Sequence, residues 1–289
     1  MRAASVVLLL CSLASGAEVI PGSAEKAKEE SREPPPVGGT VVVGERPIHE
    51  EDRVGENNQP EWSTQRRFPT TRVYVAPAGS ASLEFWLNTK HPLNDLGGSR
   101  FRTTYEAEFG LGHRLQLDLY LETEQEGPGP FELKREKIEL RYALAKWGVI
   151  PGNPTLYAEA VREFDGPVNG EFKVLFGGQV RPRLHWGANV IWERTFDATQ
   201  LNEYALAGGL AWTIIDEKLS LGVEGQIEMT DVKRSRFHLD SVEPLIGPSL
   251  MFRFHPRASL MVVALAGAEF AGGKTTPLLE PTLIFDWRL

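Results

Sequence analysis

The sequence predicts an all-β protein: an antiparallel up-and-down transmembrane β-barrel of about 12 strands behind a flexible N-terminal periplasmic segment. Three observations predict it. Segments that alternate with a period of two recur from about residue 80 to the end of the chain. The connections between them alternate short and long. The two faces of each segment differ, one apolar and the other charged. In HRLQLDLYLETE, residues 113–124, Leu115, Leu117, Leu119 and Leu121 share one face, and Gln116, Asp118, Tyr120 and Glu122 share the other. Alone, such a strand fits a soluble sandwich with leucines toward a core as well as a membrane barrel with leucines toward lipid.

MRAASVVLLLCSLASGA, residues 1–17, reads as a secretory signal peptide, with Arg2, an apolar run over 3–13 and the small-x-small site Ser15-Gly16-Ala17. The single cysteine, Cys11, lies inside it and follows Leu10, not the small residue of a lipoprotein signal, so the mature chain carries no thiol or disulfide. Residues 18–75 read as a disordered or extended periplasmic segment, because EKAKEESREPPPVGG is charged and holds three consecutive prolines. Within it GGTVVVGERP, residues 38–47, resembles over 40–46 the hydrophobic box through which TonB-dependent transporters engage their energising partner. Those transporters carry a 22-stranded barrel, for which this chain has no room. A short β-prone patch is therefore the preferred reading, and a periplasmic partner of residues 18–70 stays open.

The barrel is expected over 76–289, with strands near 81–90, 99–110, 113–124, 134–146, 154–164, 170–181, 183–195, 203–214, 217–229, 243–255, 257–270 and 278–289. Their lengths suit a tilted bilayer crossing. Pro244 and Pro248 weaken the tenth, since proline cannot donate to a ladder. Connections at 111–113, 181–183, 216–217 and 255–257 are short, and 147–153 is somewhat longer. HPLNDLGGSR, EQEGPGPFE, FDGPVN, TFDATQLN, DVKRSRFHLDSVE and AGGKTTPL are the long ones. An even barrel with both termini on the periplasmic side produces this alternation, and a Greek-key sandwich does not. Glycines such as Gly208, Gly209, Gly222 and Gly225 lie inside strands, where they ease barrel curvature.

Aromatic residues near strand ends are expected to form membrane girdles: Trp86, Tyr142, Trp147, Trp186, Trp192, Trp212 and Trp287. With these features the chain resembles bacterial outer-membrane β-barrel proteins of the small porin or uptake-channel kind. Its end, PTLIFDWRL, resembles the C-terminal signal read by the barrel-assembly machinery, departing from it in ending on Leu289 and not on an aromatic. The resemblance implies localisation in the bacterial outer membrane after signal-peptide cleavage, and lipid and lipopolysaccharide as surroundings.

The charged faces supply the candidate pore-lining residues: Glu106, Glu108, Asp118, Glu122, Lys137, Glu139, Arg141, Glu159, Lys173, Arg183, Glu193, Glu224, Glu228, Arg253, Glu269, Asp286 and Arg288. Acids outnumber bases there, which favours cations in a water-filled pore. In a narrow barrel the same charges can pair across the lumen and close it. The net charge of −8 over 289 residues argues against nucleic acid as a partner. No catalytic residue, cofactor or metal ligand is assigned. His238, Asp240 and Ser241 lie close in one loop, without the geometry that defines a hydrolase. The expected function is a passive, non-enzymatic channel or uptake protein for small solutes with an acidic, mildly cation-favouring lumen. The alternatives are a closed barrel serving as an outer-membrane anchor or scaffold and, behind it, a surface hydrolase.

Overall fold

The computed structural model describes residues 49–197, 201–231 and 239–289. A two-residue pair, β1 (Arg53–Val54) and β2 (Gln59–Pro60), precedes the barrel strands. These are β3 (Ala81–Pro92), β4 (Arg100–Gly112), β5 (Leu115–Glu126), β6 (Glu132–Ala143), β7 (Thr155–Glu163), β8 (Val168–Arg181), β9 (Leu184–Thr195), β10 (Asn202–Ile215), β11 (Leu219–Asp231), β12 (Ser241–His255), β13 (Ala258–Ala271) and β14 (Lys274–Arg288). Each pairs antiparallel with its sequence neighbours, and β14 pairs with β3 to close the barrel, with Phe285 opposite Phe85. All twelve expected strands are present.

The opening ambiguity resolves outward for the leucines. Leu121, Ile138, Leu140, Leu206, Leu210 and Val223 are exposed on the outer surface, whereas Gln116, Asp118, Glu122 and Glu139 are buried within. A contiguous apolar exterior of this extent belongs to lipid, not to water.

Turn chemistry explains the tight connections. His113 and Arg114 both take positive φ, 51° and 66°, as a two-residue hairpin turn of the primed type requires. One expected long loop is overturned. AGGKTTPL is a two-residue turn at Gly272 and Gly273, with φ of 56° and 74°, and β14 already begins at Lys274. Thr275 and Thr276 are β-branched and extend the strand. The prolines of β12 are accommodated on one side. Pro244 and Pro248 pair with Ile227 and Val223 of β11, while the ladder to β13 skips both positions.

Two expected girdle residues are corrected. Trp86 faces the lumen: the Arg66 guanidinium lies 4.1 Å from its ring centroid, and its indole N–H donates to Glu84 at 2.9 Å. Trp86 shares the parity of Glu84, so strand period alone turns it inward. Trp147 sits in the long connection after β6 and packs edge-on against Trp62 and Tyr74, at 5.4 and 5.2 Å. Both have partners in residues 49–80, where their planar faces are better placed than in lipid. Trp192, Trp212 and Trp287 are exposed on the outer surface, and Tyr142 and Trp186 share their outward parity.

Candidate functional site: a lumen in two levels

Residues 49–80 carry little regular structure, as an extended segment should, but they do not lie outside the barrel. They fill its lumen at the end where the short turns gather. The segment enters at His49, whose ring nitrogen lies 2.6 Å from Asp216 in the β10–β11 turn. It leaves through Gly79, whose N–H donates to the Gly110 carbonyl at 2.8 Å, and continues into β3. Trp62, Phe68, Val73, Tyr74, Val75, Ala143 and Ala211 form an apolar core between segment and wall. The TonB-box-like residues 40–46 lie outside the described residues.

The wall is shaped to receive the segment. Gly177, Gly187 and Gly209 are directly opposite one another on β8, β9 and β10 and face inward. A Cβ at Gly177 would lie 2.1 Å from Val73 Cγ1, and one at Gly209 2.7 Å from Phe68 Cδ1. Gly209 therefore does more than relax curvature, because it leaves the space that Phe68 occupies.

Polar contacts complete the seat. Thr70 donates to Glu224 through its N–H at 2.8 Å and its hydroxyl at 2.6 Å. The Ala76 N–H donates to Gln116 Oε1 at 2.6 Å, and the Tyr74 hydroxyl to the Ala145 carbonyl at 2.6 Å. Arg66 reaches Glu84 at 2.9 Å and Glu106 at 3.4 Å. Arg72 reaches Glu106 at 2.9 Å and also pairs with Glu108. Arg141 on the wall pairs with Asp118 at 2.6 Å and with Glu139, to which the Tyr120 hydroxyl also donates. Buried charges of this density persist only when paired and hydrogen-bonded. A void of about 10 Å³, about one water, lies between segment and wall beside Arg66, Arg72, Gln116 and Arg141. The lumen is sealed at this level.

Beyond the seal lies a cavity of about 880 Å³ with Arg66, Pro69, Thr70 and Arg72 as its floor. Of the expected pore residues, Glu122, Lys137, Glu139, Arg141, Glu159, Lys173, Glu193, Glu228 and Glu269 line it. Glu106, Glu108, Asp118 and Glu224 face inward but are held beneath the segment or against it. Arg288 binds Glu61 at 2.9 Å, Arg253 pairs with Glu217, and Asp286 accepts from Ser259. Arg183 is corrected: it occupies the exposed β8–β9 turn with φ of 68° and is not part of the wall. Of the hydrolase candidates, Asp240 and Ser241 stand at the start of β12, and His238 lies outside the described residues.

Strand register arranges the acids in a row. Glu108 is directly opposite Asp118, Asp118 opposite Glu139, Glu139 opposite Glu159, Glu159 opposite Glu171, Glu171 opposite Glu193, and Glu193 opposite Glu203. The row crosses seven adjacent strands, β4 to β10, from beneath the segment to the far end of the cavity. Sequence reasoning missed Glu171 and Glu203, although the period of two placed them inward. It also missed Arg66, Arg67 and Arg72. The signal for these was the apolar content of WSTQRRFPTTRVYV, which a solvated tether does not need.

Trp62→Ala deletes the centre of the core between segment and wall and should cost docking about 3–5 kcal/mol. Limited proteolysis within residues 49–80 of a barrel that still migrates as folded on a gel will read it. At the edge, partial burial presses the Asp216 carboxyl upward, but bonds from the His49 ring and the Glu50 N–H outweigh it and hold its pKa below the ordinary value. A lowered carboxylate contributes stability above its ordinary pKa and loses it as pH falls through the lowered one. The His49–Asp216 contact should thus hold at neutral pH and open only in acid, seen as cleavage near residue 49.

No family model matches the chain, and no curated protein matches it. Among solved structures, the NanC porin in a rhombohedral crystal form is similar, with a TM-score of 0.51 and 11% identity, covering 72% of this chain and 100% of that one. An outer membrane channel from Pseudomonas putida F1 has a TM-score of 0.48 and 9% identity, covering 75% and 98%. The KdgM porin has 0.45 and 10%, covering 71% and 98%. At these identities the likeness concerns the fold. A closed barrel of twelve antiparallel strands with an apolar exterior is an outer-membrane β-barrel, and that is where this chain resides.

Proposed function

We propose that this outer-membrane barrel is a porin-like, non-enzymatic channel for small charged solutes, closed toward the periplasm by its own residues 49–80. The row of directly opposed carboxylates carries the reading. Like charges facing across a ladder destabilise a sheet, and a barrel that only anchored or scaffolded would gain nothing from them. Above the segment Glu159, Glu171, Glu193 and Glu203 carry the row along the wall of the cavity, where it draws cations. Among the described residues, the strands β9 to β14 contribute Glu193, Glu203, Glu228, Glu243, Glu269 and Glu280 to the cavity and no lysine or arginine, and of these Glu243 and Glu280 pair with Lys90 of β3. The bases of the other half are largely paired locally, as Lys137 is with Glu122 and Glu159.

The test is single-channel conductance of the mature chain and of a form lacking residues 18–78, both checked for folded migration. Steps that are rare in the first and steady in the second support a channel gated by the segment. Silence of both folded forms overturns the reading and leaves the closed anchor or scaffold, which the sealed level favours. A carboxylate is worth about 1 kcal/mol to a nearby cation in water. Combined Glu193→Gln, Glu203→Gln and Glu228→Gln should therefore lower the cation-to-anion permeability ratio about fivefold or more, read from the reversal potential in a salt gradient.

A further inference from the structure

The acidic groups beneath the segment are nearly all neutralised by guanidinium groups. Glu84, Glu106 and Glu108 meet Arg66 and Arg72, and Asp118 and Glu139 meet Arg141. One cluster is different. His185 on β9 is fully buried, and neither ring nitrogen has a hydrogen-bond partner. Its Nε2 faces Glu51 Oε1 at 3.6 Å and Glu50 Oε1 at 3.9 Å. These distances are too long for hydrogen bonds. They are close to the separation that two donors keep when each lies about 2.0–2.2 Å from one tetrahedral ion.

The carboxylates are oriented as ligands are. Glu50 Oε2 accepts from Thr213 Oγ1 at 2.6 Å and from Arg67 Nη2 at 3.1 Å, while Glu50 Oε1 is buried without a partner and is turned to the imidazole. Glu51 Oε1 accepts from the Gln179 amide, and its side chain is partly open to solvent. Trp62 packs on the imidazole with ring centroids 4.3 Å apart and fixes its plane. Partners of this kind hold first-coordination ligands in place.

We propose that Glu50, Glu51 and His185 bind a divalent transition-metal ion of the zinc class, joining the start of the lumen segment to the barrel wall. The three donor atoms lie within 4.8 Å of one another. One imidazole and two carboxylates suit zinc and its neighbours, whereas calcium and magnesium prefer oxygen alone. The two carboxylates outweigh the charge of Arg67, so the site attracts a cation. Glu51 marks the open side, where the ion enters and a water completes the shell. No local sequence spacing announces the site, because its ligands meet only when the segment is docked. Metal affinity is therefore linked to docking, and the site stands whether or not the barrel conducts.

The experiment uses the folded mature chain in detergent, stripped with chelator and titrated with Co²⁺, followed by visible absorption and by quenching of tryptophan fluorescence, with Zn²⁺ as competitor. One ion per chain, displaced by Zn²⁺, is expected. Glu51→Gln and His185→Gln should each weaken binding on the order of 100-fold, and His113→Gln, in an exposed turn, should leave it unchanged. Glu51 lies outside the barrel strands, so its variant decides the matter if His185→Gln does not fold. No stoichiometric binding by the folded wild-type chain, or binding undiminished in Glu51→Gln, overturns the proposal.

Discussion

Gly177→Leu is expected to open the lumen. The position faces inward and meets Val73 of the docked segment, where even a Cβ would stand 2.1 Å from a methyl carbon. On β9 the directly opposed inward position is Gly187, which has no side chain, so the wall itself leaves room for one at this position. The penalty therefore falls on the docked state and spares the undocked one. Overpacking of this kind costs about 1–3 kcal/mol, which shifts an equilibrium about 5- to 150-fold. Folded migration should persist, residues 49–80 should become sensitive to protease, and the conducting fraction should rise by that factor. Gly209→Leu, which meets Phe68, should act alike. A Gly177→Leu barrel with a protected segment and unchanged conductance would show that the glycine row does not seat the segment.

Arg72→Met should be strongly destabilising. Its guanidinium is the shared partner of Glu84, Glu106 and Glu108, all buried. Removing one partner of a buried ion pair costs about 3–5 kcal/mol, because the other charge is left uncompensated. The double variant Arg72→Met/Glu108→Gln removes one of those stranded charges and should recover a large part of the loss. Urea-induced unfolding of the two variants beside the wild-type chain measures both effects. Equal midpoints for the wild type and Arg72→Met would refute the assignment.

The barrel was legible because a strand of period two states its two faces locally. Leu115 to Leu121 and Gln116 to Glu122 needed no distant residue to be sorted, and closure followed from the even count of similar strands. The occupied lumen was not legible for the opposite reason. Arg66, Phe68 and Val73 acquire meaning only against Glu84, Gly209 and Gly177, which belong to other strands. Prolines and charges at 25–36 signal a solvated tether, but from Trp62 onward apolar residues recur, and only the docked structure gives them a partner. Trp86 was misplaced because an indole in a polar lumen has no purpose until Arg66 is set on its face. The pairwise opposition of the acids required the register between strands, and parity on one strand does not supply it.

The segment passes without interruption into β3, held at the join by Gly79 and Gly110. Once displaced, it stays attached to the barrel it closes. Its return is a unimolecular event at a local concentration on the order of millimolar, which no dilution of the protein can lower. In the proposed channel, opening would be a fraction of time within each molecule, and closure would need no second chain to arrive.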